Sequence, residues 1–205
     1  MRTLTRIAIF TIVSLLGVAY AQDRQVEINA DLPAKRGLVT SDIALAGRVY
    51  LPAGNFVIVG DLSFQDAINL FLAPTPQINA EGQVWFYFTG APDKEKASVK
   101  PFVYGGLTRA MFIGEPVDST TGLAGFGVAI RKPSGLTVIP TFQFDSEDFE
   151  ESTVLGQNYS AKVYLHIPLS KEFNLNLTPK FGRHSYGGGV YNTEYSLSIG
   201  FSRKF

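Results

Sequence analysis

Along its C-terminal third the sequence alternates apolar and polar residues one for one, in runs longer than an ordinary strand. Tyr195, Leu197, Ile199 and Phe201 fall on one face, and Ser196, Ser198, Gly200 and Ser202 on the other. The same pattern covers 173–182, with Phe173, Leu175, Leu177, Pro179 and Phe181 opposite Asn174, Asn176, Thr178, Lys180 and Gly182. It recurs over 159–169. A period of two is the signature of β-strands with a different environment on each side. After residue 22 no segment carries a sustained helical stripe, so the chain reads as all-β.

Two architectures generate such strands. A soluble barrel or sandwich turns its apolar face inward, whereas a transmembrane barrel turns it outward to lipid and keeps the polar face inside. Three features favour the second. The runs last about 9 to 14 residues, long enough for the roughly 9–11 needed to cross a bilayer, whereas soluble strands average about 5–6. Short turns at 52–55, 133–135 and 170–172 alternate with longer polar connections at 33–41, 114–123 and 146–158, the rhythm of short inner turns and longer outer loops. Aromatic residues gather toward strand ends (Phe112, Tyr159, Phe173, Tyr195 and Phe205), as interfacial girdles do. The chain also opens with a basic Met1–Arg6, an apolar Ile7–Val18 and the triplet Ala19-Tyr20-Ala21. That is the layout of a secretory signal peptide over 1–21, with cleavage expected after Ala21 and a barrel over 22–205.

The last strand adds a resemblance. Tyr195, Leu197, Ile199, Phe201 and the terminal Phe205 resemble the C-terminal signature of bacterial outer-membrane β-barrels. The segment Val99–Ala110 is similar to a strand of small barrels of the opacity-protein and OmpX-like surface-antigen type. The resemblance implies that the barrel-assembly machinery reads the final strand, and that outer-membrane lipid and lipopolysaccharide surround the wall. Arg203 departs from the pattern, which has an apolar or aromatic residue there; at a rim a long cation can snorkel.

Walking back from the C-terminus predicts strands near 191–205, 173–186, 158–169, 136–146, 124–132, 99–112, 82–90, 56–64, 43–51 and 24–32. This makes a transmembrane antiparallel up-and-down β-barrel of ten strands, with eight as the alternative. Sixteen strands would need about 160 residues in strands alone. The alternation turns Glu27, Arg48, Asp61, Arg131, Asp145, Lys162, His166, Lys180, His184 and Glu194 inward. Arg109 is placed inward as well, because a lipid-facing arginine near the midplane costs about 2–4 kcal/mol. Both signs of charge are present, so these side chains pair and fill the lumen; a narrow path past Asp145, Lys162, Lys180 and Glu194 is the competing expectation.

Signals for chemistry are weak. Lys plus Arg and Asp plus Glu both number 18, which removes the electrostatic case for nucleic-acid binding. The absence of cysteine removes thiolate zinc and cysteine nucleophiles. No catalytic, metal or cofactor site is expected. His184 and Ser185 are adjacent and so on opposite faces of a strand, unlike the paired residues of lipid A deacylases. Asp145–Glu151 holds five carboxylates in seven residues but lacks a calcium loop's spacing, and reads as solvated loop. In 65–81, Ile68, Leu70, Phe71 and Leu72 precede two prolines; an extension of strand 56–64 to about residue 72 is the plain reading. The expected role is non-enzymatic: a structural or surface-interaction barrel whose outer loops meet an extracellular ligand. A narrow solute channel is the alternative, and a lipid-modifying enzyme the third.

Overall fold

A computed structural model describes residues 25–35, 38–39, 44–64, 77–92, 96–112, 118–149, 156–186 and 190–204. The leader, its cleavage point, Phe205 and the proposed extension beyond Phe64 lie outside these residues.

Ten long strands form one closed antiparallel sheet. They are β1 (Gln25–Lys35), β3 (Ala44–Ala53), β4 (Phe56–Phe64), β5 (Gln77–Tyr87), β6 (Ser98–Phe112), β7 (Asp118–Arg131), β8 (Thr137–Phe149), β9 (Gly156–Pro168), β10 (Phe173–Tyr186) and β11 (Val190–Lys204). A two-residue β2 (Leu38–Val39) pairs with the end of β1. Each long strand pairs with its sequence neighbours, and β1 pairs with β11 from Gln25↔Lys204 to Ala34↔Tyr195, closing the barrel. Closure leaves no long strand with an open edge, and an even strand number brings both ends of the barrel chain to the same rim. That rim also carries the turns at 54–55, 132–136 and 169–172 and the connection from β5 to β6, and is termed the turn end. Gly54, Gly90 and Gly135 supply positive φ in three of those turns, a conformation that costs a residue without Cβ little.

Ten strands, not eight, are present, and several are longer than the alternation predicts. β5 starts at Gln77 rather than 82, so the end of the 65–81 segment is strand. β7 starts at Asp118, and β8 and β9 run to Phe149 and from Gly156. The connections expected at 114–123 and 146–158 shrink accordingly, and five of the seven residues of the acidic run 145–151 are ladder rather than loop. Thr and Ser on the outward side of these extensions, such as Thr120 and Ser146, break the apolar pattern without breaking the pairing.

The two faces have inverted polarity. Leu107, Phe126, Phe142, Leu197, Ile199 and Phe201 point outward and are exposed, with Leu107 63% and Phe126 60% accessible. Asn29, Gln83, Gln143, Ser160, Asn174 and Asn176 point inward and are buried. Water would select the opposite arrangement; a hydrocarbon surround selects this one. Among the described residues no helix is long and apolar enough to cross a membrane.

Candidate functional site: a filled lumen

On the β4–β9 side the turn-end half of the lumen holds an aromatic plug. Trp85 is its hub. Its ring stacks on Phe102 with centroids 4.7 Å apart and planes 14° from parallel, and it meets Tyr50 at 5.9 Å, Tyr104 at 5.9 Å and Tyr164 at 6.2 Å. Tyr87 lies 4.9 Å from Phe102, whose side chain is only 1% exposed. Val57, Val59 and Ile139 pack against these rings.

The plug has a local cause. At the end of β5 the run Val84-Trp85-Phe86-Tyr87, continued by Phe88 just beyond the strand, is apolar on both faces, so one set of rings faces out and the other in. β6 does the same at Phe102-Val103-Tyr104. β7 supplies the room, because Gly125 and Gly127 stand directly opposite Tyr104 and Phe102 in the ladder. A Cβ at Gly127 would come within 2.7 Å of Phe102 Cζ and 2.8 Å of the Pro140 carbonyl oxygen. One at Gly125 would come within 2.5 Å of Tyr104 Cζ. The rings thus cover bare backbone, as aromatic side chains rescue glycines in strands.

The remaining lumen is polar and internally satisfied to a large degree. Near the β1–β11 seam the buried Glu27 carboxylate lies 3.1 Å from His166 Nδ1, which is also 3.1 Å from Asn176 Oδ1. Asn174 Nδ2 donates to Ser202 Oγ at 3.1 Å, and that hydroxyl donates to Asn176 Oδ1 at 3.2 Å. Glu27, Arg48, Asp61 and Glu81 occupy directly opposed positions on β1, β3, β4 and β5. Arg48 donates to Asp61 Oδ2 from Nε at 2.8 Å and from Nη2 at 2.5 Å, and its guanidinium sits 5.1 Å from the Tyr164 ring centroid. Further up, Trp85 Nε1 donates to Gln83 Oε1 at 2.5 Å, Gln83 donates to Glu81, and Thr108 donates to Glu81 at 3.0 Å. Lys162 and Tyr104 both donate to Gln143 Oε1 at 3.3 Å, and Gln143 donates to Asp145 at 2.6 Å. Buried charges persist only when paired and hydrogen-bonded, and this network provides that.

Glu27, Arg48, Asp61, Asp145, Lys162 and His166 therefore face inward and join pairs or networks. Arg131, Lys180 and Glu194 share the inward face, Lys180 directly opposite Lys162 on β9. His184 pairs with Asn158 and Asn192 by backbone register; its side chain lies outside the described residues. Tyr195, Leu197, Ile199 and Phe201 face outward along the seam strand. Of the expected girdle residues, Tyr159, Phe173 and Tyr195 are exposed on the outer wall; the side chains of Phe112 and Phe205 lie outside the described residues.

Arg109 is a correction. Phe102, Tyr104 and Ala110 are the buried, inward residues of β6, so the odd-numbered Arg109 points outward and is exposed. It lies three residues from the strand's end rather than at mid-membrane, and near an interface the cost of a lipid-facing arginine falls to about 0–1 kcal/mol. The plug itself was not expected from the alternation. Its signal was present: where a long strand turns apolar on both faces, the inner face must be packed rather than wet. Among the described residues no group of three or more His, Asp or Glu could hold a metal.

No family model matches the chain, and no curated protein does. Solved bacterial barrels are similar in outline. The KdgM porin in complex with disordered oligogalacturonate is 8% identical with a TM-score of 0.44, over 88% of this chain and 99% of that one. The β-domain of the Bordetella autotransporter BrkA is 12% identical with a TM-score of 0.47, over 90% and 100%. Neisserial surface protein A is 9% identical with a TM-score of 0.38, over 89% and 96%. At these values the likenesses carry no argument about what this chain does.

Proposed function

We propose that this chain is a non-enzymatic integral barrel of the bacterial outer membrane, exported with its leader removed after Ala21. Its role is structural or surface-interacting, exerted through the loops at the end opposite the turns. The apolar outer wall supports the location, because in water it would expose contiguous hydrophobic surface around the whole molecule. The single observation that carries the role is the plug: Trp85, Phe102 and Tyr104 on β5 and β6 reach Tyr164 on β9 inside the lumen, and much of the polar remainder is occupied by hydrogen-bonded side chains. A lumen so filled favours a scaffold for loops over a conduit. Lipopolysaccharide and the assembly machinery are the expected envelope partners, the latter through Tyr195–Phe205.

Expression in a Gram-negative host tests the location. The protein should fractionate with outer membranes, resist carbonate extraction and show heat-dependent gel mobility. External protease should cut at 65–76 or 150–155 and leave the strands intact. Recovery as a soluble periplasmic protein would overturn the proposal. The role is tested by deleting those loops: binding of the purified barrel to target cells should disappear while the folded barrel remains, and binding unaffected by both deletions would contradict it.

A further inference from the structure

The outer wall carries two arginines at one level. On β10 the outward positions from Phe173 to Phe181 are all apolar over nine residues, and the next outward residue is Arg183. On β6 the outward positions from Val99 to Leu107 are likewise apolar or glycine over nine residues, and the next is Arg109. Nine tilted residues climb roughly 23 Å, close to the ~25 Å apolar band of such barrels. Both cations therefore stand just above the hydrocarbon, at the depth of the outer-leaflet headgroups.

Their surroundings differ. Arg183 is exposed and stands directly opposite Tyr159 in the β9–β10 ladder, two residues above Phe181. Tyr159 packs on Phe144 at 5.4 Å, and Phe181 packs on Tyr195 at 5.3 Å. All four rings are exposed on the outer wall. They form an aromatic strip across β8–β11, the rings tilted 60° and 59° within the two pairs, with a guanidinium at its upper edge. A planar guanidinium matches phosphate oxygens in bidentate fashion, and rings at the interface pack well against acyl chains and headgroup sugars. The arrangement pairs a cation with an apolar platform at one membrane depth.

We propose that Arg183, with the girdle of Phe144, Tyr159, Phe181 and Tyr195, is a binding site for a phosphorylated outer-leaflet glycolipid of the lipid A class. The guanidinium takes a phosphate, and the rings take the proximal acyl chains. The site rests on the membrane reading above and goes beyond it by assigning residues and headgroup chemistry.

Native mass spectrometry of the refolded protein in micelles doped with bisphosphorylated lipid A tests it, with enzymatically dephosphorylated lipid A as the comparison. Wild type should retain the phosphorylated lipid preferentially. Arg183→Gln should lower the retained fraction about tenfold, the size of one lost charge-assisted contact, while Arg183→Lys recovers part of it and Arg109→Gln changes it little. Equal retention by wild type and Arg183→Gln, or no preference for phosphate, would overturn the site. Heat-dependent gel mobility checks that each variant is folded. A protein that never inserts into bilayers would instead refute the membrane reading itself.

Discussion

Replacing Phe102 by alanine should be among the most damaging single changes in the lumen. The side chain is 1% exposed, stacks on Trp85 at 4.7 Å, meets Tyr87 at 4.9 Å and covers Gly127. Truncating a buried phenylalanine costs about 3–5 kcal/mol, because contacts vanish and the cavity does not collapse. Three ring partners (Trp85, Tyr87 and Tyr104), each worth about 0.5–1.5 kcal/mol beyond area, and a glycine that cannot fill the gap place the value in the upper part of that range. With a urea slope of about 2 kcal/mol/M, a loss of about 4 kcal/mol moves the unfolding midpoint down by about 2 M. Equilibrium unfolding from vesicles, followed by Trp85 fluorescence, reads this directly, since the chain has one tryptophan. A ring dangling in a wet lumen would cost under about 1 kcal/mol when truncated. A midpoint shift below about 0.5 M would therefore refute the packed plug.

Other outcomes follow from the same geometry. Gly127→Ala should destabilise by about 1–3 kcal/mol through overpacking against Phe102 and the Pro140 carbonyl, and Phe102→Leu in the same chain should restore part of it in the same unfolding assay. Arg48→Met should cost about 3–5 kcal/mol by stranding the buried Asp61 carboxylate, and adding Asp61→Leu should return most of that loss; a double variant no better than the single would show that Arg48 acts other than through this pair. Phe126→Arg, on the mid-wall, should cost about 2–4 kcal/mol in bilayers, whereas a neutral or favourable effect would mean that this face meets water.

Much of the fold is legible in the sequence because membrane strands are long and their two faces meet different media. β10 alternates from Phe173 to Gly182 and β11 from Tyr195 to Ser202, so their bounds fall within a residue or so of the predicted ones. The extensions of β7 and β8 beyond the apolar band are less legible. Above the band both faces are polar, and alternation carries no signal at Thr120 or Ser146. Inward ionisable residues such as Arg48 and Lys162 could be assigned by parity alone, but their partners could not. Glu27 meets His166 on β9, and that depends on lumen width rather than on spacing along one strand. Arg109 shows the limit from the other side: the cost of a lipid-facing arginine depends on its depth in the membrane, and that depth is set by strand register, which the spacing along one strand does not carry.

Single-channel recording of the refolded protein in a planar bilayer, with its folded state checked by heat-dependent gel mobility, tests the filled lumen most directly. The wild-type barrel should be silent at every salt concentration, and trimming Trp85, Phe102 and Tyr104 together to alanine should produce discrete openings. Reproducible wild-type openings whose conductance scales with salt would contradict the account and make the inward charges the lining of a pore.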